Sequence, residues 1–259
     1  MSDVGIRRRL GRLGRDGRYF LLAMDHGVTQ GPVEGLVDPA ATATAAVDNG
    51  ADAVITHRGF VDAVAPAIGS AGYIVHLSAS TDLGPDPDDK RLVCSVDDAV
   101  RLGADAVSVH VNVGSRTEAR QLADLGAVVD RAHHRGLPVL AMVYPRGPDV
   151  DGADPEAIAH AARVGGELGA DLVKTGLPAG TTRPVVEGAG APVLVAGGVR
   201  SDPRATLEAL AEAMAAGAAG ASIGRTVFQA DDPGAMARAV AAVIHDGAEP
   251  AEALEHLDR

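Results

Sequence analysis

Short apolar runs recur along the chain, each preceded by a segment in which small and apolar residues return at helical spacing. Four of the runs open alike: GADAVITH at 50–57, GADAVSVH at 103–110, GADLVKTG at 169–176 and the looser GAAGASIG at 217–224. Each follows an Ala-rich, helix-like segment and leads into branched residues, which is the order helix, tight Gly turn, strand. Four more runs read as strands on the same grounds: YFLLAMDH at 19–26, YIVHL at 73–77, PVLAMVYP at 138–145 and PVLVAGG at 192–198. Eight alternating units with no break in composition predict one α/β domain over residues 1–259, a (β/α)8 TIM barrel. An open doubly wound sheet competes with it, but no GxGxxG follows the first strand.

The length of 259 residues suits that barrel, and with 2% aromatic residues and no Trp its core must be filled by small and branched aliphatics. A net charge of −12 argues against nucleic acid as the main partner, since that binding depends on a basic face. The single Cys94 leaves no internal disulfide, and no signal peptide or membrane-length apolar run is visible. These features predict a cytoplasmic protein that acts on small molecules. The basic stretch GIRRRLGRLGRDGRY near the N-terminus is expected to be a short solvated helix or arm, within residues 1–18, beneath the barrel. The stretches GPDPDDKR at 84–91 and EGAGAP at 187–192 read as a polar loop and a turn, without function.

Within this pattern one residue is out of place. The chain has two lysines among its 23 basic residues, and one of them, Lys174, stands inside an apolar strand. A buried ammonium is expensive, so its pKa falls until the amine is neutral and nucleophilic. Arg would serve a buried ion pair as well, whereas only Lys forms an imine. Aligning the repeats puts Lys174 at the register of Ile55 and Ser108, and the two-residue period of a strand puts His57 and His110 on the same face. If that face is the lumen, the amine points into it.

Working residues of such barrels lie at the C-terminal ends of strands. That rule selects Asp25 and His26, His57, His76, His110 and Asn112, Tyr144 and Arg146, Lys174, Gly197 and Gly198, and Gly224 with Arg225. Imine chemistry needs a proton donor and an acceptor, for which Tyr144 and Asp25 are the candidates. A helix N-cap for Asp25 and a packed core role for Tyr144 are the structural alternatives. The Gly-containing segments after the seventh and eighth strands suit a phosphate group, with Arg225 adding a charge-assisted contact. Two other readings are open: a metal enzyme using His57, His76 and His110, and a phosphate-binding barrel without activity.

The segments MDHGVTQGPVEGL, MVYPRG, ADLVKTG, VAGG and SIGRTVF, in this order and over nearly the whole chain, resemble the archaeal-type class I aldolase family. That family spans fructose-bisphosphate aldolases, 2-amino-3,7-dideoxy-D-threo-hept-6-ulosonate synthases and an actinobacterial branch that joins dihydroxyacetone phosphate to aspartate semialdehyde. The resemblance implies imine formation on Lys174, with Tyr144 as proton donor and Asp25 as acceptor, and neither metal nor cofactor. It also implies a sugar phosphate held by Asp25, His26, Gly27, Val28, Thr29, Tyr144, Pro145, Arg146, Gly197, Gly198, Gly224 and Arg225, and a homo-oligomer, often a decamer. The stretch TGLPAGTT after the lysine departs from the family pattern near Leu177. Together with the composition, that departure turns the expectation toward an aspartate-semialdehyde-using synthase for aromatic biosynthesis, with a glycolytic aldolase as the alternative.

Overall fold

The computed structural model describes residues 4–177, 182–197 and 202–257. Eight parallel strands close into a barrel: β1 Tyr19–Ala23, β2 Ala53–His57, β3 Gly72–His76, β4 Ala106–Val113, β5 Val139–Pro145, β6 Leu172–Thr175, β7 Val193–Ala196 and β8 Gly220–Ile223. Each strand pairs with its neighbours in sequence, and β8 returns to β1, so the (β/α)8 architecture read from the sequence is the one observed. Several strands are shorter than the apolar runs suggested; β1 ends at Ala23, two residues before Asp25.

The repeated GAD motif has a structural meaning at the N-terminal rim. Asp52, Asp105 and Asp171 donate their backbone N–H to the carbonyls of Phe20, Tyr73 and Val139 on the preceding strand. Their carboxylates then accept the N–H of those same residues, at 2.8, 3.1 and 2.8 Å. Each Asp therefore closes a two-way clasp between an odd and an even strand, satisfying a buried donor at the strand start. In the looser fourth copy Ala219 makes the backbone half alone, donating to Val193.

The basic N-terminal stretch forms the helix Val4–Leu13, but it is more than a solvated arm. Ile6 and Leu13 are buried, and Leu13 joins the cluster that fills the lumen, so the helix closes the barrel floor. Four arginines of the stretch tie it to the barrel: Arg12 pairs with Asp105 at 2.9 Å, Arg15 with Asp52 at 2.8 Å, and Arg9 and Arg18 donate to the carbonyls of Gly136 and Ile244.

The core has two layers. Alternate strand residues such as Phe20, Val54, Val75, Val107 and Val173 face the surrounding helices. The residues between them, including Leu21, Ile55, Ile74, Leu140, Met142 and Leu194, face the lumen. No described helix is long and apolar enough to cross a membrane. Between β3 and the helix Val96–Arg101 the chain makes an excursion over residues 78–92, tied by a ladder of Ser78–Ala79 with Arg91–Leu92.

Candidate active site

The lateral neighbours of Lys174 are Met142 on β5 and Leu194 on β7, both lumen residues, so the lysine points inward as the register predicted. It is 7% exposed. Burial pushes its ammonium below the ordinary lysine range; Asp25 opposes that shift and Arg225 and Arg146 add to it. Above it opens a cavity of about 450 Å³ at the C-terminal end of the strands.

Asp25 lies at the start of the short helix His26–Gln30, yet its carboxylate makes no capping bond, which removes the N-cap reading. The carboxylate turns instead to the lumen, 3.7 Å from His76 Nε2 and 3.8 Å from His26 Nδ1. Burial alone would raise its pKa; the neighbouring imidazoles and Lys174 reverse this and hold it below the usual carboxylate range. Asp25 is therefore in its proton-accepting form at neutral pH.

Tyr144, one strand from Lys174, is flanked by the Arg146 guanidinium 4.6 Å above its ring and by His110 at 5.1 Å. Burial raises its phenol above the ordinary range, against the pull of Arg146, so it remains a neutral donor. Arg225 opens the short helix Arg225–Phe228 after β8, beside Gly224 and the buried hydroxyl of Ser222, which has no hydrogen-bond partner among the described residues. Gly197 and Gly224 line the same side, but packing already demands glycine there. A Cβ at Gly197 would lie 2.8 Å from Ile223, and one at Gly224 would lie 2.2 Å from the Ala23 carbonyl.

The cavity thus gathers Asp25, His26, Thr29, Tyr144, Arg146, Lys174, Gly197, Gly224 and Arg225 from the predicted set. Gly27, Val28 and Pro145 do not line it: Val28 is largely exposed, and Pro145 is buried between two cavity residues on the opposite strand face. Gly198 lies outside the described residues, and so does most of the divergent stretch after Leu177.

The three histidines do not assemble into a metal site. His76 Nδ1 is engaged with Ser108 Oγ at 2.8 Å and His110 Nε2 with Asn112 Oδ1 at 2.8 Å, while His57 stacks edge-on against His76. Among the described residues no group of three His, Cys, Asp or Glu is placed to hold an ion. Burial lowers all three imidazoles, His76 to about 3, so they are neutral hydrogen-bonding walls.

The 78–92 excursion contributes Asp82, Asp88 and Lys90 to the cavity, the last two from the stretch 84–91 that reads in the sequence as a polar loop without function. It is held down by the Asp88 carbonyl, which accepts from Asn112 Nδ2 at 3.0 Å and from Gln121 Nε2 at 2.8 Å. A loop carries no periodicity, but Lys90 is the other lysine of the chain, and that rarity was the available signal.

Comparisons with known proteins fit this geometry. Residues 19–230 match the family described as DeoC/LacD family aldolase. Over 256 residues the chain is 50% identical to a 2-amino-3,7-dideoxy-D-threo-hept-6-ulosonate synthase of Halobacterium salinarum, covering 98% of this chain and 97% of the relative. It is 45% identical over 237 residues to a 2-amino-4,5-dihydroxy-6-oxo-7-(phosphonooxy)heptanoate synthase of Streptomyces griseus, covering 88% and 85%. Among solved structures, an archaeal fructose 1,6-bisphosphate aldolase superposes with a TM-score of 0.87 at 33% identity, covering 94% of this chain and all of the other. A second, studied as a Schiff base forming fructose-1,6-bisphosphate aldolase, gives 0.85 at 32% identity, covering 93% of this chain and all of that one.

Proposed function

The chain belongs to the DeoC/LacD family of aldolases, and within it we propose a metal-independent class I enzyme that joins a three-carbon ketone unit to L-aspartate 4-semialdehyde through an imine on Lys174. The observation that carries this reading is the buried Lys174 amine, facing a cavity of about 450 Å³ lined also by Arg146 and Arg225, together with the Asp25 carboxylate and the Tyr144 phenol.

The relatives' names specify the bond. A 2-amino-4,5-dihydroxy-6-oxo-7-(phosphonooxy)heptanoate is a β-hydroxyketone, and breaking its C4–C5 bond returns aspartate semialdehyde and dihydroxyacetone phosphate. The same disconnection of the 3,7-dideoxy-hept-6-ulosonate returns aspartate semialdehyde and a three-carbon ketone without oxygen at its last carbon, such as a deoxy-ketohexose phosphate could supply. Aspartate semialdehyde is the common acceptor.

With dihydroxyacetone phosphate as donor, neutral Lys174 adds its Nζ to the ketone carbon, and Tyr144 protonates the carbinolamine hydroxyl, which leaves as water. Asp25 takes a proton from the hydroxymethyl carbon of the resulting iminium, giving the enamine. That carbon attacks the aldehyde of the acceptor, the proton held by Asp25 passes to the new alkoxide, and water adds to the iminium, giving its proton back to Tyr144, to free the product and the lysine. Gly197, Ser222, Gly224 and Arg225 hold the donor phosphate through backbone N–H, hydroxyl and guanidinium donors.

The test is turnover in the presence of EDTA, with L-aspartate 4-semialdehyde supplied alongside dihydroxyacetone phosphate or a deoxy-ketohexose phosphate. Formation of a seven-carbon 2-amino acid supports the proposal. Cleavage of fructose 1,6-bisphosphate without any seven-carbon product would assign the chain to glycolytic chemistry instead.

A further inference from the structure

The donor chemistry leaves one charged group of the cavity unused. Lys90 is 8% exposed, and its Nζ donates to Ser80 Oγ at 2.5 Å. Among the described residues it forms no ion pair with a carboxylate, although an ammonium has three donors to place. A buried ammonium with no carboxylate in contact is costly, and an anionic ligand seated against it would offset that cost. It faces the cavity beside Arg146, and Asp88 and Asp82 line the same wall. Neither carboxylate accepts a side-chain hydrogen bond or ion pair among the described residues. Cation and anions stand together there without neutralising one another by contact.

The strand order places this wall relative to the reaction. Lys174 on β6 has β7 and β8 on one side, carrying Gly197, Ser222, Gly224 and Arg225, and β5 on the other. Beyond β5 lie β4 and the 78–92 excursion packed on it. A donor with its carbonyl at Lys174 and its phosphate toward β7 and β8 leaves the enamine open toward Tyr144, Arg146 and Lys90. The acceptor must approach from there.

Resting on the acceptor assigned above, we infer that this wall is a binding site for the zwitterionic head of an α-amino acid aldehyde: Lys90 takes the α-carboxylate and Asp88, with Asp82 behind it, takes the α-ammonium. A phosphate dianion at the same place would meet the cation but also sit against two carboxylates. A zwitterion meets an opposite charge at each pole, so the wall selects an amino acid over a phosphorylated aldehyde. Lys90 and Asp88 are specificity residues in this scheme, distinct from the groups that make and break bonds.

L-Homoserine, which has the acceptor's skeleton with an alcohol in place of the aldehyde, probes the site without imine chemistry. Calorimetric titration of the wild-type protein and of Lys90→Met, Lys90→Arg and Asp88→Asn is compared with 4-hydroxybutanoate, which lacks the ammonium, and with glycerol 3-phosphate. The expected result is at least about tenfold weaker L-homoserine binding in Lys90→Met, partial recovery in Lys90→Arg, and a loss in Asp88→Asn that 4-hydroxybutanoate does not share. No L-homoserine binding to wild type, equal binding in Lys90→Met, or tighter Lys90-dependent binding of glycerol 3-phosphate overturns the inference. Borohydride trapping of dihydroxyacetone phosphate on the same variants separates the two readings. An adduct on Lys174 with no Lys90 dependence of L-homoserine binding removes the zwitterion site alone; the reverse pattern removes the imine and keeps the site.

Discussion

Replacing Tyr144 by Phe separates chemistry from packing, because the structure makes the two effects unequal. The phenyl ring keeps the face over which Arg146 lies at 4.6 Å and the tilted contact with His110 at 5.1 Å. Among the described residues no protein group is hydrogen-bonded to the Tyr144 hydroxyl, so its removal orphans nothing in the fold. Stability is therefore expected to change by less than about 1 kcal/mol in urea unfolding. If the phenol delivers the proton that expels water from the carbinolamine, its loss costs ~10²- to 10⁴-fold in rate. That corresponds to about 3–5 kcal/mol of barrier, several times any stability change. Single-turnover mixing with dihydroxyacetone phosphate, quenched by borohydride at intervals, measures the step directly: the carbinolamine is not reducible, so trapped adduct should appear slowly in the variant and reach the same final level. A variant that traps adduct at the wild-type rate would refute the assignment of Tyr144 as donor. One that unfolds in much less urea would refute the packing argument.

Other outcomes follow from the same structure. Asp52→Ala should destabilise the barrel by about 1–3 kcal/mol, by orphaning the buried Phe20 N–H and losing the 3.0 Å contact with the nearly buried His245 Nε2, since Arg15 is 57% exposed and its pair adds little. Asp52→Asn, which keeps an acceptor, should cost clearly less in the same urea titration, and equal losses would show that the clasp works through charge. His76, pushed down to about 3 by burial, is neutral in the folded protein and takes up a proton on unfolding between pH ~6.5 and that value. The unfolded state binds more protons in that window, so stability falls with decreasing pH by up to ~1.4 kcal/mol per unit; His76→Gln should flatten the slope, and an unchanged slope would assign it to other groups. The lowered Lys174 pKa sets the acid limb of imine formation, which should fall tenfold per unit once pH drops below it. A trapping rate that rises toward acid pH would contradict a neutral-amine nucleophile.

Much of this was legible in the residues, for identifiable reasons. A period of two is a strong signal in a barrel with a filled lumen: it puts Lys174, His57 and His110 on one face, and the register with Met142 and Leu194 shows that face to be the inner one. The GAD repeat located three even strands, but its carboxylates had no visible purpose until Asp52, Asp105 and Asp171 were seen reaching back to the preceding strand. What escaped was non-periodic. The 78–92 excursion owes its position to the side-chain amides of Asn112 and Gln121, which donate to the Asp88 carbonyl and which no local pattern encodes. The basic N-terminal stretch forms a helix beneath the barrel with largely exposed arginines, but the arginines mask Ile6 and Leu13, the buried residues that anchor it. The loop glycines carry a second demand that no local pattern encodes: a Cβ at Gly197 would meet Ile223 and one at Gly224 the Ala23 carbonyl, so packing favours glycine there whether or not a phosphate approaches.

The most direct test of the account is peptide mass spectrometry after borohydride reduction of the protein with dihydroxyacetone phosphate in EDTA. The account predicts one phosphate-bearing adduct, on Lys174, with Lys90 unmodified as the internal control and no adduct in Lys174→Met. An adduct on Lys90, or none on either lysine in a protein that still turns over, would contradict it.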